Sequence, residues 1–189
     1  MAMLLGLTEY IADHKEQLMY NVVLIFQPSE EISGGAESVI QTGLLEDYQV
    51  QAIFGFHLWP GLPKGEIYSR SGAFMAQSSE TDIIVKGRSA HIASSEQGID
   101  SIRGAIGFMD EVYELEQSLP KEWRRLIKFG QITGGTIRNV LANEVTISGS
   151  IRSYDQQIQD SIKVQLADLA EKFQKNSQVS IQFRYNDGY

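Results

Sequence analysis

The sequence predicts an α/β protein in two parts. Residues 1–77 read as part of a mostly parallel sheet, and residues 78–187 as a β-α-β-β-α-β unit of ferredoxin-like order. Three observations predict this. Two continuous apolar runs, at 21–26 and 51–56, flank a short helical stretch. The densest cluster of chain breakers, with Pro60, Gly61, Pro63 and Gly65, follows them. Beyond it, spacings of period two and of helical period alternate in the order strand, helix, strand, strand, helix, strand.

The elements follow in chain order. Leu4, Leu5, Leu7, Ile11 and Leu18 are the candidate buried positions of an amphipathic helix over 1–18. Val22, Val23, Leu24, Ile25 and Phe26 read as a strand buried on both faces. Gly34-Gly35 opens a helix over 36–42, which Gly43 stops. A second buried strand at 51–56 completes a βαβ unit, so the two strands are expected to be parallel. Two parallel strands do not make an independent layer, and this part is therefore expected to belong to a larger sheet. In the second part a strand at 81–85 precedes a helix over 100–119, with Ile99, Ile102, Ile106, Met109 and Val112 on one face. Strands at 126–132 and 145–151 come next; Val145, Ile147 and Ile151 alternate with Thr146, Ser148 and Ser150. Ile158, Ile162, Leu166, Leu169 and Phe173 mark the second helix, and a strand at 179–185 closes the unit. Its free sheet edges are natural dimerisation surfaces.

Composition narrows the function. The 189 residues carry 16 Lys plus Arg against 24 Asp plus Glu, a net charge of −8. That charge lacks the electrostatic footprint of a nucleic-acid binder, and no polybasic stretch offers a membrane surface. No apolar run is long enough to span a bilayer. The apolar start, 1–7, lacks the features of a signal peptide, and a cytoplasmic location is expected. Cysteine is absent, which removes disulfides, thiol nucleophiles and Cys-rich metal sites.

The residues able to do chemistry cluster at strand ends. Glu30 and Glu31 follow the first apolar run, and His57 follows the second directly. In an open parallel sheet, ligands bind beyond the carboxyl ends of the strands. Two carboxylates and an imidazole brought together there suit a divalent metal, one acid ligating and the other moving protons. Glu30 and Glu31 also read as solvated acids complementing the next helix N-terminus, and His57 as a polar strand-end residue. His91 reads as a turn histidine, Asn139 as a turn cap, and Arg152 as a strand-end cation able to hold a carboxylate by two parallel bonds.

Several motifs together resemble a known family. Phe26-Gln27-Pro28-Ser29-Glu30-Glu31 with Gly34-Gly35-Ala36 comes first, then Gly55-Phe56-His57-Leu58-Trp59-Pro60. Gly134-Gly135-Thr136 with Asn139-Val140, and Gly149-Ser150-Ile151-Arg152, complete the set. In this order they resemble the dinuclear-metal aminoacylase/carboxypeptidase family, in its amidohydrolase branch of hippurate hydrolases, N-acetyldiaminopimelate deacetylases and indole-acetyl amino acid hydrolases. The resemblance implies a partial catalytic domain over 1–77 and a lid and dimerisation domain over 78–187. It implies metal-dependent hydrolysis of N-acyl amino acids, with two divalent ions (zinc, manganese or cobalt) in the full-length parent and a homodimer formed through the lid. Glu30 resembles the general base, and Glu31 and His57 resemble metal ligands. His91 resembles the lid histidine that reaches the neighbouring subunit's site and stabilises the oxyanion. Asn139 and Arg152 resemble the residues that bind the substrate's carboxylate end.

The sequence departs from the family pattern in places. The family's His-x-Cys-Gly-His-Asp segment and a late histidine ligand are missing, so the chain reads as an internal fragment, expected to be inactive alone and to hold no metal or only an incidental one. Ser89-Ala90 stands where the family has Gly-Gly before the lid histidine, and Ser94-Ser95 replaces a Pro-His pair. The alternative reading is a non-catalytic dimerisation or binding module that retains the lid fold.

Overall fold

The computed structural model describes residues 1–29 and 35–188. They divide into two compact units, 1–69 and 70–189.

Among its described residues the first unit holds α1 (Ala2–Asp13), α2 (Gly35–Ile40) and α3 (Leu44–Asp47). Gly43, at φ 74°, separates α2 from α3. This is the left-handed region, which favours glycine. The helical expectation for 1–18 divides into α1 and a 3₁₀ turn, Lys15–Gln17. No residue of α1 is fully buried: of the expected stripe, Leu4, Leu7 and Ile11 are half-buried, and Leu5 and Leu18 are exposed. The two apolar runs also differ from expectation, since no described residue of this unit lies in a strand. A strand needs partners for its backbone donors and acceptors. Neither run finds one, and Phe54 and Phe56 stay 84% and 58% exposed.

The second unit contains the protein's core. Strands β1 (Gln77–Lys86), β2 (Arg125–Gly134), β3 (Glu144–Ser153) and β4 (Ser180–Asp187) form one sheet in the order β2-β3-β1-β4. All three pairings are antiparallel. Helices α4 (Ser101–Ser118) and α5 (Gln156–Ser177) supply the two crossovers, giving the ferredoxin-like βαββαβ order.

Alternation decides which face each strand buries. Thr81, Ile83 and Val85 of β1 point inward together with Val145, Ile147 and Ile151 of β3. They meet Ala105, Phe108 and Val112 of α4 and Ile162 and Leu166 of α5. Phe108 packs edge-on against Phe173 and Phe183. Of the expected face of α4, Val112 is buried and Ile99 and Met109 pack against the core, whereas Ile102 and Ile106 are 47% and 58% exposed and Gly104, Ala105 and Phe108 take the inward positions. Small residues bring the helix close to the sheet end, where a Cβ on Gly104 would press on Val179. Asp100 and Asp155 cap the two helices by accepting backbone N–H bonds.

Candidate active-site residues

The sequence-derived site residues fall into three groups. Glu30 and Glu31 lie outside the described residues. His57 belongs to the first unit; His91, Asn139 and Arg152 belong to the second.

His57 is exposed. Its Nδ1 lies 2.6 Å from the carbonyl oxygen of Leu58, and its ring meets Trp59 edge-on at 6.1 Å. A carbonyl can only accept, so Nδ1–H donates and Nε2 keeps its lone pair. Metal-ligating histidines commonly show this arrangement, with the second nitrogen bonded to a carbonyl. The donor set therefore fits a divalent ion at Nε2. Among the described residues, no group of three His, Asp or Glu side chains converges to complete a site.

In the second unit, backbone pairing brings His91 and Asn139 together. His91 forms an isolated antiparallel bridge with Val140. Ile92 N–H donates to Asn139 O at 3.0 Å, and Leu141 N–H donates to Ala90 O at 2.8 Å. The same zipper continues to the core: Gly87 N–H donates to Asn143 O, and the fully buried Ser101 hydroxyl donates to Ala142 O at 2.7 Å. Gly98 allows the close approach, since a Cβ there would meet Leu141 Cδ1 at 2.7 Å and Arg88 O at 2.8 Å. His91 caps a 3₁₀ segment, Ile92–Gln97, and its Nδ1 accepts the Ala93 N–H at 3.1 Å. Its imidazole and the Asn139 side chain are both exposed.

Arg152 lies apart from this pair. It sits on β3 opposite Ser78 of β1 and Leu126 of β2, exposed on the face away from the helices. His91 and Asn139 belong to the other end of the sheet, where Lys86 pairs with Glu144. The eight residue steps from Glu144 to Arg152 span roughly 26 Å at strand rise. The sequence did not reveal the parts of the zipper that seat His91, namely Ala90, Ala93 and Ser101. The serine at the start of a predicted helix was a signal for the last of these.

Comparison with known proteins shows the family of the chain. Residues 1–184 match the model of peptidase family M20/M25/M40. The chain belongs to this family. It is 30% identical over its whole length to an N-acetyldiaminopimelate deacetylase of Limosilactobacillus fermentum, covering 49% of that protein. It is 31% identical to the IAA-amino acid hydrolase ILR1-like 2 of Arabidopsis thaliana, covering 95% of this chain and 41% of the relative. A Bacillus subtilis crystal structure, described as a dinuclear metal binding peptidase from the M20 family, superposes with a TM-score of 0.73 at 25% identity. That match covers 96% of this chain and 45% of the other. The chain thus spans about half the length of the curated relatives it matches. Among the described residues, no helix is long and apolar enough to cross a membrane.

Proposed function

We propose that this M20-family chain is the lid and part of the catalytic domain of a cytoplasmic metal-dependent hydrolase of N-acyl amino acids. The observation that carries the reading is the backbone pairing of His91 with Val140 and of Ile92 with Asn139, which holds the two loops together on a ferredoxin-like unit within a family match spanning 1–184. The deacetylase and amino acid hydrolase relatives support the substrate class.

In this reading Glu31 and the Nε2 of His57 would hold metal; zinc, manganese and cobalt all suit a carboxylate and an imidazole. A bound divalent pair would supply Lewis-acid polarisation of the acyl carbonyl and the attacking water. Glu30 takes a proton from that water and returns it to the leaving amine. His91 donates a hydrogen bond to the developing oxyanion. Asn139 and Arg152 hold the substrate's carboxylate end. Glu31 and His57 alone fall short of a two-metal set, so the chain by itself is expected to be inactive.

His91 and Asn139 belong to one end of the sheet and Arg152 to the other, which supports a site shared between the two subunits of a homodimer. The free β2 edge, with Leu126 and Ile132 exposed, and Ile102, Ile106 and Tyr113 exposed on α4, provide an apolar surface for it.

The test is an assay of the complete gene product, loaded with manganese or zinc, on hippurate and N-acetyl amino acids. Amino acid release is expected, and Glu30→Gln is expected to lower kcat by at least about a hundredfold while metal content stays unchanged. Near-normal rates in Glu30→Gln would remove it from the base role. No release across the panel would overturn the hydrolase reading.

A further inference from the structure

We propose that the backbone fixes His57 and His91 in opposite tautomers, so that His57 presents an unprotonated Nε2 and His91 presents an Nε2–H. The assignment of the two nitrogens to metal and to substrate rests on the function proposed above; the tautomers themselves do not.

The argument begins with what each backbone partner can do. The Leu58 carbonyl, 2.6 Å from His57 Nδ1, has no proton to give. The neutral ring must therefore carry its proton on Nδ1, and Nε2 keeps a lone pair. The Ala93 amide, 3.1 Å from His91 Nδ1, has no lone pair to offer. That ring must carry its proton on Nε2. His14 is an internal control: its Nδ1 lies 2.8 Å from Tyr10 O, so it shares the tautomer of His57.

The surroundings of His91 keep this arrangement in place. The residue sits at φ −62° and ψ 139°, extended, as the cap of the 3₁₀ segment Ile92–Gln97. The bonds from Ile92 to Asn139 and from Leu141 to Ala90 pin the chain on both sides of it. The amide of Ala93 thus acts as a positioning group. It occupies the nitrogen that would otherwise serve as a base or ligand and leaves the ring as a pure donor at Nε2. A metal requires a lone pair and a developing oxyanion requires an N–H. The two histidines are therefore biased toward these different tasks by one backbone hydrogen bond each.

The experiment is ring-nitrogen NMR on the 15N-labelled 189-residue chain without metal, roughly two pH units above the ordinary histidine value of about 6.5. Each histidine is assigned from His14→Gln, His57→Gln and His91→Gln. His57 is expected to show a protonated Nδ1 and His91 a protonated Nε2, each favoured roughly two- to tenfold, the bias of one ordinary hydrogen bond. A through-hydrogen-bond coupling between the Ala93 nitrogen and His91 Nδ1 is also expected. The same tautomer at both positions, or a protonated Nδ1 at His91, overturns the proposal.

Two further variants test the cap itself. The Asn side-chain oxygen of His91→Asn takes the place of Nδ1, whereas His91→Gln moves its polar group to the place of Nε2. Amide exchange at Ala93 is expected to stay slow in His91→Asn and to rise severalfold in His91→Gln; equal exchange in all three proteins overturns the proposal. In the complete gene product kcat should follow the opposite order, with His91→Gln above His91→Asn. Opposite tautomers in a gene product that hydrolyses no N-acyl amino acid would support this inference and defeat the hydrolase reading. Hydrolysis with matching tautomers would do the reverse.

Discussion

Asp187 shows how single side chains join the first and last strands of the second unit. It accepts from the fully buried Ser79 hydroxyl and, at 2.6 and 2.8 Å, from Lys163 of α5. Ser79 and Asp187 are register partners on β1 and β4, so one carboxylate ties both strands to the helix. The Lys163 ammonium, and after it the Ser79 hydroxyl, hold the Asp187 carboxyl below its usual range. A depressed folded-state pKa stabilises the fold fully above the unfolded carboxylate value, near 3.9, and the contribution is lost as pH falls through the folded value. Asp187→Asn is accordingly expected to cost about 1 kcal/mol at pH 7, the partial exposure of the ion pair keeping its share small. Urea unfolding from pH 7 to pH 2 checks this. The gap between wild type and variant should close at the acid end, and a gap that stays constant with pH would assign the effect to packing.

At the scale of elements, α5 offers a two-ended test. Asp155 caps its start by accepting from Gln157 and Ile158 N–H at 2.7 and 3.3 Å, and Gln178 ends it at φ 58°. Asp155→Ala is expected to lose about 1 kcal/mol, and Gln178→Gly to gain about 0.5–1 kcal/mol by removing the left-handed strain of a side-chain-bearing residue. Thermal unfolding should show melting temperatures moved in opposite directions by these two changes. The strands of the second unit were legible because buried and open faces alternate along most of them, although Ile83, Ile84 and Val85 are all buried in β1. Val145, Ile147 and Ile151 alternate visibly with polar neighbours, and β1 and β4 extend a few residues past their apolar centres because backbone pairing continues there. The α4 stripe differs from expectation at Ile102 and Ile106 alone: they are more apolar than Gly104 and Ala105, whereas closeness to the sheet selects the smaller side chains. The runs at 21–26 and 51–56 carry strand composition, but a sequence does not display the hydrogen-bonding partner that makes a strand. The His91–Asn139 pairing was hidden in the same way. Forty-eight positions separate the two residues, and two amide bonds in a loop have no periodic signature.

For the whole molecule, the spacing between Asn139 and Arg152 leads to a prediction that stability measurements cannot make. If one active site takes His91 and Asn139 from one lid and Arg152 from another, the His91→Ala and Arg152→Ala gene products are each inactive as homodimers. A heterodimer of the two variants holds one site in which both residues are intact and one in which both are lost. Random exchange of subunits puts half the molecules in the mixed dimer, so mixing two nearly dead proteins should restore roughly a quarter of wild-type activity, as two-fold symmetry requires. The recovery should be lost when Ile102→Asp on α4 or Ile132→Asp on β2 disrupts the exposed apolar surface in both partners. Size-exclusion chromatography with light scattering should then report monomers. No recovery on mixing proteins that demonstrably exchange subunits would place all three residues in one chain's site. The roughly 26 Å along β3 weighs against that while the lid keeps this fold, so either Arg152 or the His91–Asn139 pair would then leave the site.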